Sequence, residues 1–305
     1  MQPKLSIGSW AFAFGPFARA PWTFESVLRY ARDAGYDGVE INGFPPHPTP
    51  EQYDTAARRG ELRRMIESYG LGVSGYAPSF NDVPPALVPA ERYTERLKRV
   101  VELAGDIGTR TIRIDTVSPP ELTAGNEEYE RMFSNLVEVW RAAAETAGAE
   151  GAVLVWEFEP GFWLNKPAEV LALCRAVDSR HFKVLFDTSH AYMGAVVGAR
   201  HQEAPGPLEG GVEAYAKLLA PYIGHLHLID SDGTLHYDET STHAEFGAGF
   251  VDFSGLLRQS GALLAALDWW CVDFCFNAEA EAWGREAVPF VRRLMAEARG
   301  GGGAR

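Results

Sequence analysis

The sequence predicts a single-domain (β/α)8 TIM barrel, and three observations lead there. Eight short, near-continuous apolar runs alternate with eight helix-length patterns along the chain. The length of 305 residues suits one α/β barrel, whose usual size is about 250 residues with insertions on top. No G-x-G-x-x-G follows the first run and no Walker-type loop occurs, which argues against an open doubly wound sheet.

Strands are expected over Leu5–Trp10, Gly38–Ile41, Gly72–Tyr76, Thr109–Ile114, Ala152–Glu157, Phe182–Phe186, Ile223–Leu228 and Trp269–Asp273. Both faces of a parallel barrel strand are buried, so such runs are apolar throughout rather than alternating. Helices are expected over Thr23–Ala34, Thr49–Tyr69, Ala90–Ile107, Asn126–Ala149, Lys166–Val177, Gly211–Ala220, Phe253–Ser260 and Ala278–Arg299. The turns Ala-Gly-Tyr-Asp-Gly, Tyr-Gly-Leu-Gly and Ile-Gly-Thr precede the second, third and fourth strands. Each supplies a glycine where a helix ends, a position that favours the left-handed conformation. The barrel is expected over residues 1–299, with a disordered glycine-rich tail over 300–305. Two long connections, about residues 191–210 and 230–252, follow the sixth and seventh strands, on the face where barrels carry their chemistry.

Composition narrows the function. A net charge of −13 opposes binding to nucleic acid or anionic lipid, since the long-range field repels phosphate. The N-terminus enters a strand at once with no apolar secretion segment, and no apolar stretch reaches the roughly 18 residues that span a membrane. Cys174, Cys271 and Cys275 form no disulfide framework and no cysteine-only zinc site. A cytoplasmic protein with reduced thiols is expected.

The chemistry lies in Glu157, Asp187-x-x-His190, His227 and Asp273, each at or just past the C-terminal end of an apolar run. About 30 to 46 residues separate Glu157, Asp187, His227 and Asp273, enough for a strand–helix unit plus insertions. Barrel strand ends converge on one face, so these residues meet in one pocket as a mixed oxygen and nitrogen site for a divalent metal. A carboxylate closing an apolar run is costly unless it meets a cation or a proton. For Glu157 the bland alternative is a loop salt bridge, and for Asp273 a helix cap. His225 shares a face with His227 and reads equally well as a core histidine.

Four motifs make the chain resemble the xylose-isomerase-like TIM-barrel superfamily, the sugar phosphate isomerase/epimerase family. They are Trp156-Glu-Phe-Glu-Pro-Gly, Phe186-Asp-Thr-Ser-His190, His225-Leu-His-Leu-Ile-Asp230 and Phe246-Gly-Ala-Gly-Phe-Val-Asp-Phe253. The resemblance implies one divalent metal ion (Mn2+, Mg2+, Co2+ or Zn2+) held by Glu157, Asp187, His227 and Asp273, with His190 close by. It also implies a small-molecule sugar or polyol substrate and a tendency to form homodimers. Two positions depart from the family. Asp273 stands where its epimerases usually carry Glu, and no Arg follows His227, where ketose 3-epimerases carry one.

The expected function is a divalent-metal-dependent keto-sugar isomerase or epimerase working by α-proton abstraction through a metal-stabilised enediolate. Glu157 and Asp273 would exchange the proton, and His190 would bond the oxygen on which charge develops. Substrate contacts are expected from Trp10, Glu40, Tyr76, Arg113, Glu159 and His243, with Asn42, Asp115 and His236 behind them, and a mouth lined by Trp10, Phe12, Phe14, Trp163 and Phe276. A lyase or dehydratase acting on a keto-sugar or keto-inositol would use the same first step. A non-catalytic sugar-binding barrel and an apurinic-site endonuclease are weaker readings. The endonuclease would need an additional His on the third strand, where Gly72-Val-Ser-Gly-Tyr-Ala-Pro has none.

Overall fold

The computed structural model describes residues 2–123, 126–201, 207–237 and 239–300. Eight parallel strands close into a barrel: β1 (Lys4–Gly8), β2 (Gly38–Gly43), β3 (Gly72–Pro78), β4 (Thr111–Ile114), β5 (Val153–Glu157), β6 (Phe182–Asp187), β7 (Ile223–Leu228) and β10 (Trp269–Val272). Each lies beside its sequence neighbour, and β10 closes the ring by pairing Leu5 with Trp270 and Ile7 with Val272 of β1 and β10. Outside run α1 (Phe24–Ala34), α2 (Ala56–Ser68), α3 (Ala90–Ile107), α4 (Asn126–Ala149), α5 (Pro167–Val177), a short α6 (Thr188–Tyr192), α7 (Gly211–Leu219), α8 (Phe253–Leu264) and α9 (Ala280–Gly300). A two-stranded antiparallel hairpin, β8 (Asp230–His236) and β9 (Thr240–Ala244), stands apart from the barrel.

The core lies between strands and helices. Trp140 of α4 packs on Trp156 and Phe182 with ring centroids 5.4 and 5.3 Å away, all three fully buried. Burying a side chain the size of Phe182 stabilises by about 1.5–3 kcal/mol. Gly35 and Gly108 end α1 and α3 in the left-handed conformation (φ 91° and 97°), as the turn glycines predict.

Four departures have local causes. The first strand stops at Gly8 because the indole of Trp10 folds back over it: a Cβ on Gly8 would lie 2.2 Å from that ring. The second helix begins at Ala56 rather than Thr49, because Thr49 and Gln52 bond reciprocally in a turn and Thr55 caps the helix from Arg58 N–H. The connection after the sixth strand opens with α6, capped by Asp187, while residues 202–206 lie outside the described residues. The connection after the seventh strand is the hairpin. Of the expected tail over 300–305, Gly300 ends α9 and residues 301–305 lie outside the described residues.

Barrel register aligns the functional strand ends. Glu157 pairs with Leu185, Asp187 with His227, and Cys271 with His227 across neighbouring strands. One residue beyond β10, Asp273 N–H donates to Leu228 O at 3.2 Å, bringing its side chain level with His227.

Candidate active site

One ligand atom from each of Glu157, Asp187, His227 and Asp273 lies within 4.8 Å of the other three, and all four residues are buried. His227 Nδ1 is at the centre, 2.8 Å from Glu157 Oε1, 3.5 Å from Asp273 Oδ2 and 4.0 Å from Asp187 Oδ2. Glu157 Oε1, Asp187 Oδ2 and His227 Nδ1 are shut away from solvent, yet none completes a hydrogen bond of normal geometry. Buried polar atoms without partners are rare, and a converging set of carboxylate oxygens and one imidazole nitrogen fits a divalent cation.

The other oxygens are tied down from behind. Asp187 Oδ1 accepts from His190 N–H at 2.8 Å, which caps α6 and leaves Oδ2 facing the centre. Asp273 Oδ1 accepts from Trp10 Nε1 at 2.7 Å and Cys275 N–H at 2.8 Å. Glu157 Oε2 accepts from Arg113 Nε. His190 Nδ1 bonds Ser241 Oγ at 2.7 Å, so its Nε2 faces Glu159 Oε2 at 3.7 Å and Glu157 Oε1 at 3.9 Å. His243 Nδ1 lies 3.3 Å from Asp273 Oδ1.

Electrostatics set the charge states. Burial alone would raise Glu157, but Arg113 and His227 outweigh it and hold the carboxyl at about 2. Burial likewise works against the charge of Asp273, and His243 and His227 overcome it, keeping that group well below the carboxylate range. At Asp187 burial prevails and the shift is upward. Burial disfavours a charged His243, but Asp273 draws it up to about 9. Three carboxylates around one imidazole thus concentrate negative charge that a bound cation would satisfy.

Above this floor is a cavity of about 240 Å³, walled by Arg113, Asp115, Glu159, His190 and His243 and rimmed by phenylalanines. Of the expected contacts, Trp10, Asn42, Arg113, Asp115, Glu159 and His243 reach it, as do Phe14 and Phe276. Two of the expected substrate contacts do not. Tyr76 is fully buried with its hydroxyl donating to Pro48 O at 3.0 Å, because the strand pleat turns it outward from the mouth. Glu40 lies beneath the floor, bonded to His225 Nε2 at 2.7 Å, so His225 is the core histidine and Glu40 its partner. Phe12 stacks on Trp22 and Trp163 packs edge-on to Tyr129, both in the core, while His236 stacks on Phe276 outside the cavity wall.

Sequence reasoning missed Thr240 and Ser241 of the hairpin, which bond Glu159 and His190, and the rim residues Phe44 and Phe162. The length and polarity of the connection after the seventh strand carried the only signal for Thr240 and Ser241. In the glycine-rich turn before α8, Asp230 accepts from the N–H groups of Gly247, Gly249 and Val251 at 2.9, 3.1 and 3.0 Å. A Cβ on Gly249 would fall 2.3 Å from Asp230 Oδ1, which accounts for glycine there.

The profile of a family described as the xylose isomerase-like TIM barrel matches residues 28–294. A fructoselysine 3-epimerase of Escherichia coli O157:H7 is 25% identical over 282 residues, covering 90% of this chain and 94% of that protein. Among solved structures, a D-tagatose 3-epimerase-like protein superposes with a TM-score of 0.71 at 17% identity, over 96% of this chain and 98% of the other. An L-ribulose 3-epimerase superposes with a TM-score of 0.68 at 21% identity, over 97% and 96%.

Proposed function

This chain belongs to the xylose isomerase-like TIM barrel family, and from that premise we propose that it is a divalent-metal-dependent keto-sugar epimerase or isomerase. The observation that carries the reading is the convergence of buried Glu157 Oε1, Asp187 Oδ2 and His227 Nδ1, none in a hydrogen bond of normal geometry, beside Asp273. The name of the E. coli relative, fructoselysine 3-epimerase, supports the same reaction class.

Glu157, Asp187, His227 and Asp273 would hold the ion, with Mn2+ the first choice for an oxygen-rich set and Mg2+, Co2+ or Zn2+ as alternatives. Such an ion acts as a Lewis acid, acidifying the proton α to a carbonyl. Glu157 and Asp273 exchange that proton with the substrate, one removing it and the other returning it. Arg113 fixes Glu157 from behind, and Trp10 and Cys275 N–H fix Asp273, so both carboxylates are oriented before substrate arrives. His190, held by Ser241, points Nε2 into the cavity to bond the oxygen on which charge grows. The aromatic rim excludes water and packs on sugar C–H faces.

The proposal extends to a cytoplasmic enzyme acting on a sugar or polyol as a homodimer. Free Cys174, Cys271 and Cys275 are consistent with a reducing compartment, and no described helix is long and apolar enough to cross a membrane. One observation favours a lyase as the second reading. Where ketose 3-epimerases carry Arg after the seventh-strand His, this chain enters hairpin strand β8 as Asp230-Ser-Asp-Gly.

The test is solvent-deuterium incorporation into keto-sugars by Mn2+-loaded protein, beside Glu157→Gln. Exchange that yields the epimer, needs metal and disappears in the variant supports the reading. Exchange accompanied by loss of water from the substrate transfers it to the lyase. Absence of bound metal in the wild type after Mn2+ is supplied would sink both.

A further inference from the structure

Four rings lead out of the cavity mouth in one series. Phe14 and Phe276 line the cavity and stack with centroids 6.2 Å apart. Phe276 stacks in turn on His236, at 4.6 Å with 14° between the planes, and His236 meets Tyr237 at 4.2 Å. The series thus runs from the cavity wall past the end of β8 to a tyrosine that is 84% exposed. Packing accounts for the inner rings but not for the last, which leaves most of its surface in water. Tyr237 and Phe276 also have φ of 51° and 62°, the left-handed region that glycine and asparagine enter readily and a bulky ring does not. Backbone held there is strained, and such strain gathers where ligands bind. Gly15 makes room for the strained loop: a Cβ on it would lie 3.0 Å from Phe276 Cα.

The cavity, at about 240 Å³, falls below the roughly 300–1,000 Å³ of pockets that enclose drug-sized ligands, so it suits one small sugar unit. A larger substrate leaves through the mouth, and the ring series gives it a continuous apolar surface there. Aromatic faces pack on the C–H face of a sugar ring while its hydroxyls stay in water. Glu239 and Glu279, both exposed, follow the two strained positions by two and three residues and disfavour an anionic substituent such as phosphate.

We propose that Phe276, His236 and Tyr237 form an outer subsite for a second, uncharged sugar ring, so that the preferred substrate is a keto-sugar carrying a glycosyl substituent rather than a free monosaccharide. The inference rests on the keto-sugar reading above and extends it outward. Glu157, Asp187, His227 and Asp273 act on the keto-sugar unit, and the ring series only binds what is attached to it.

The test is titration calorimetry with lactulose and isomaltulose, two keto-disaccharides built on fructose, against D-fructose itself. Wild type and Tyr237→Asn are compared, each with and without Mn2+. Wild type is expected to bind at least one of the disaccharides more tightly than fructose. Tyr237→Asn should cut that preference about 2- to 12-fold, the worth of one aromatic contact. The same variant should melt at a higher temperature, because asparagine accepts the positive φ that tyrosine resists. Equal or weaker binding of both disaccharides by wild type overturns the inference, as does a preference that survives in Tyr237→Asn. A lower melting temperature for the variant also overturns it, since Tyr237 would then serve the fold. If the protein takes up no Mn2+, the metal-centre reading fails on its own. The comparison in metal-free protein still decides the outer subsite, because none of its rings belongs to the ligand set.

Discussion

Trp10 and Asp273 are 263 residues apart and meet in one bond, Nε1 to Oδ1 at 2.7 Å, across the seam where the barrel closes. The indole both ends the first strand early and fixes the carboxylate that follows the last one. Trp10→Phe keeps most of the ring and removes the donor. A hydrogen bond to a charged group contributes about 1.5–3 kcal/mol, so chemical denaturation should show a loss within that range. Deuterium exchange should slow as Asp273 loses one of its two donors, and an unchanged rate would mean that Cys275 N–H alone fixes its direction.

Asp187 has two separable tasks, capping α6 through Oδ1 and facing the centre with Oδ2. Asparagine caps as well as aspartate does, but it lacks the charge. Asp187→Asn should therefore keep its melting temperature in metal-free buffer while its bound metal, read by elemental mass spectrometry, falls below about a tenth of an equivalent. Asp187→Ala should lose the metal and in addition about 1 kcal/mol of stability.

Asp230→Ala would strand the N–H groups of Gly247, Gly249 and Val251. Of the three donors Val251 N–H is the buried one, and leaving a buried donor unpaired costs roughly 1–3 kcal/mol, so urea unfolding should reveal a loss within that range. Metal content per folded molecule should be unchanged, because Asp230 supports the turn before α8 and lies outside the ligand set.

His47 supplies a pH signature away from the metal. Burial pushes its ring down to about 4, against a backbone contact with Trp22 O at 3.1 Å that favours the charged form. The unfolded ring takes its proton near pH 6.5 and the folded ring only near 4. Its contribution to stability is therefore complete above about pH 6.5. It declines as the pH falls to 4, by up to about 3 kcal/mol. The difference in unfolding free energy between wild type and His47→Gln should shift in that direction over this window and stay flat above it. A flat difference throughout would mean that the buried ring titrates normally.

The barrel was legible because its evidence is repeated: eight apolar runs and their helix-ending glycines point to one architecture, and the strand ends follow from it. Glu157, Asp187, His227 and Asp273 could be picked out for the same reason, since a charge closing an apolar run is conspicuous. Tyr76 and Glu40 misled because a strand end has two sides, and an alternation one residue long cannot say which faces the mouth. The bulge in the β2–β3 pairing between Val39 and Glu40 adds a shift that no sequence pattern announces. The contributions of Thr240 and Ser241 depend on the hairpin folding back across the mouth, a long-range event without local periodicity.

That hairpin makes the site modular. Thr240, Ser241 and His243 come from one contiguous stretch of β9 whose ladder is separate from the barrel's. The strands supply the ion's ligands, so the segment from Ser231 to Ala244 can be exchanged or shuffled without disturbing the register of any barrel strand. Selection, or a designer grafting a relative's hairpin, thus has a short cassette through which to change what the pocket accepts, so long as Ser241 stays against His190 and His243 against Asp273.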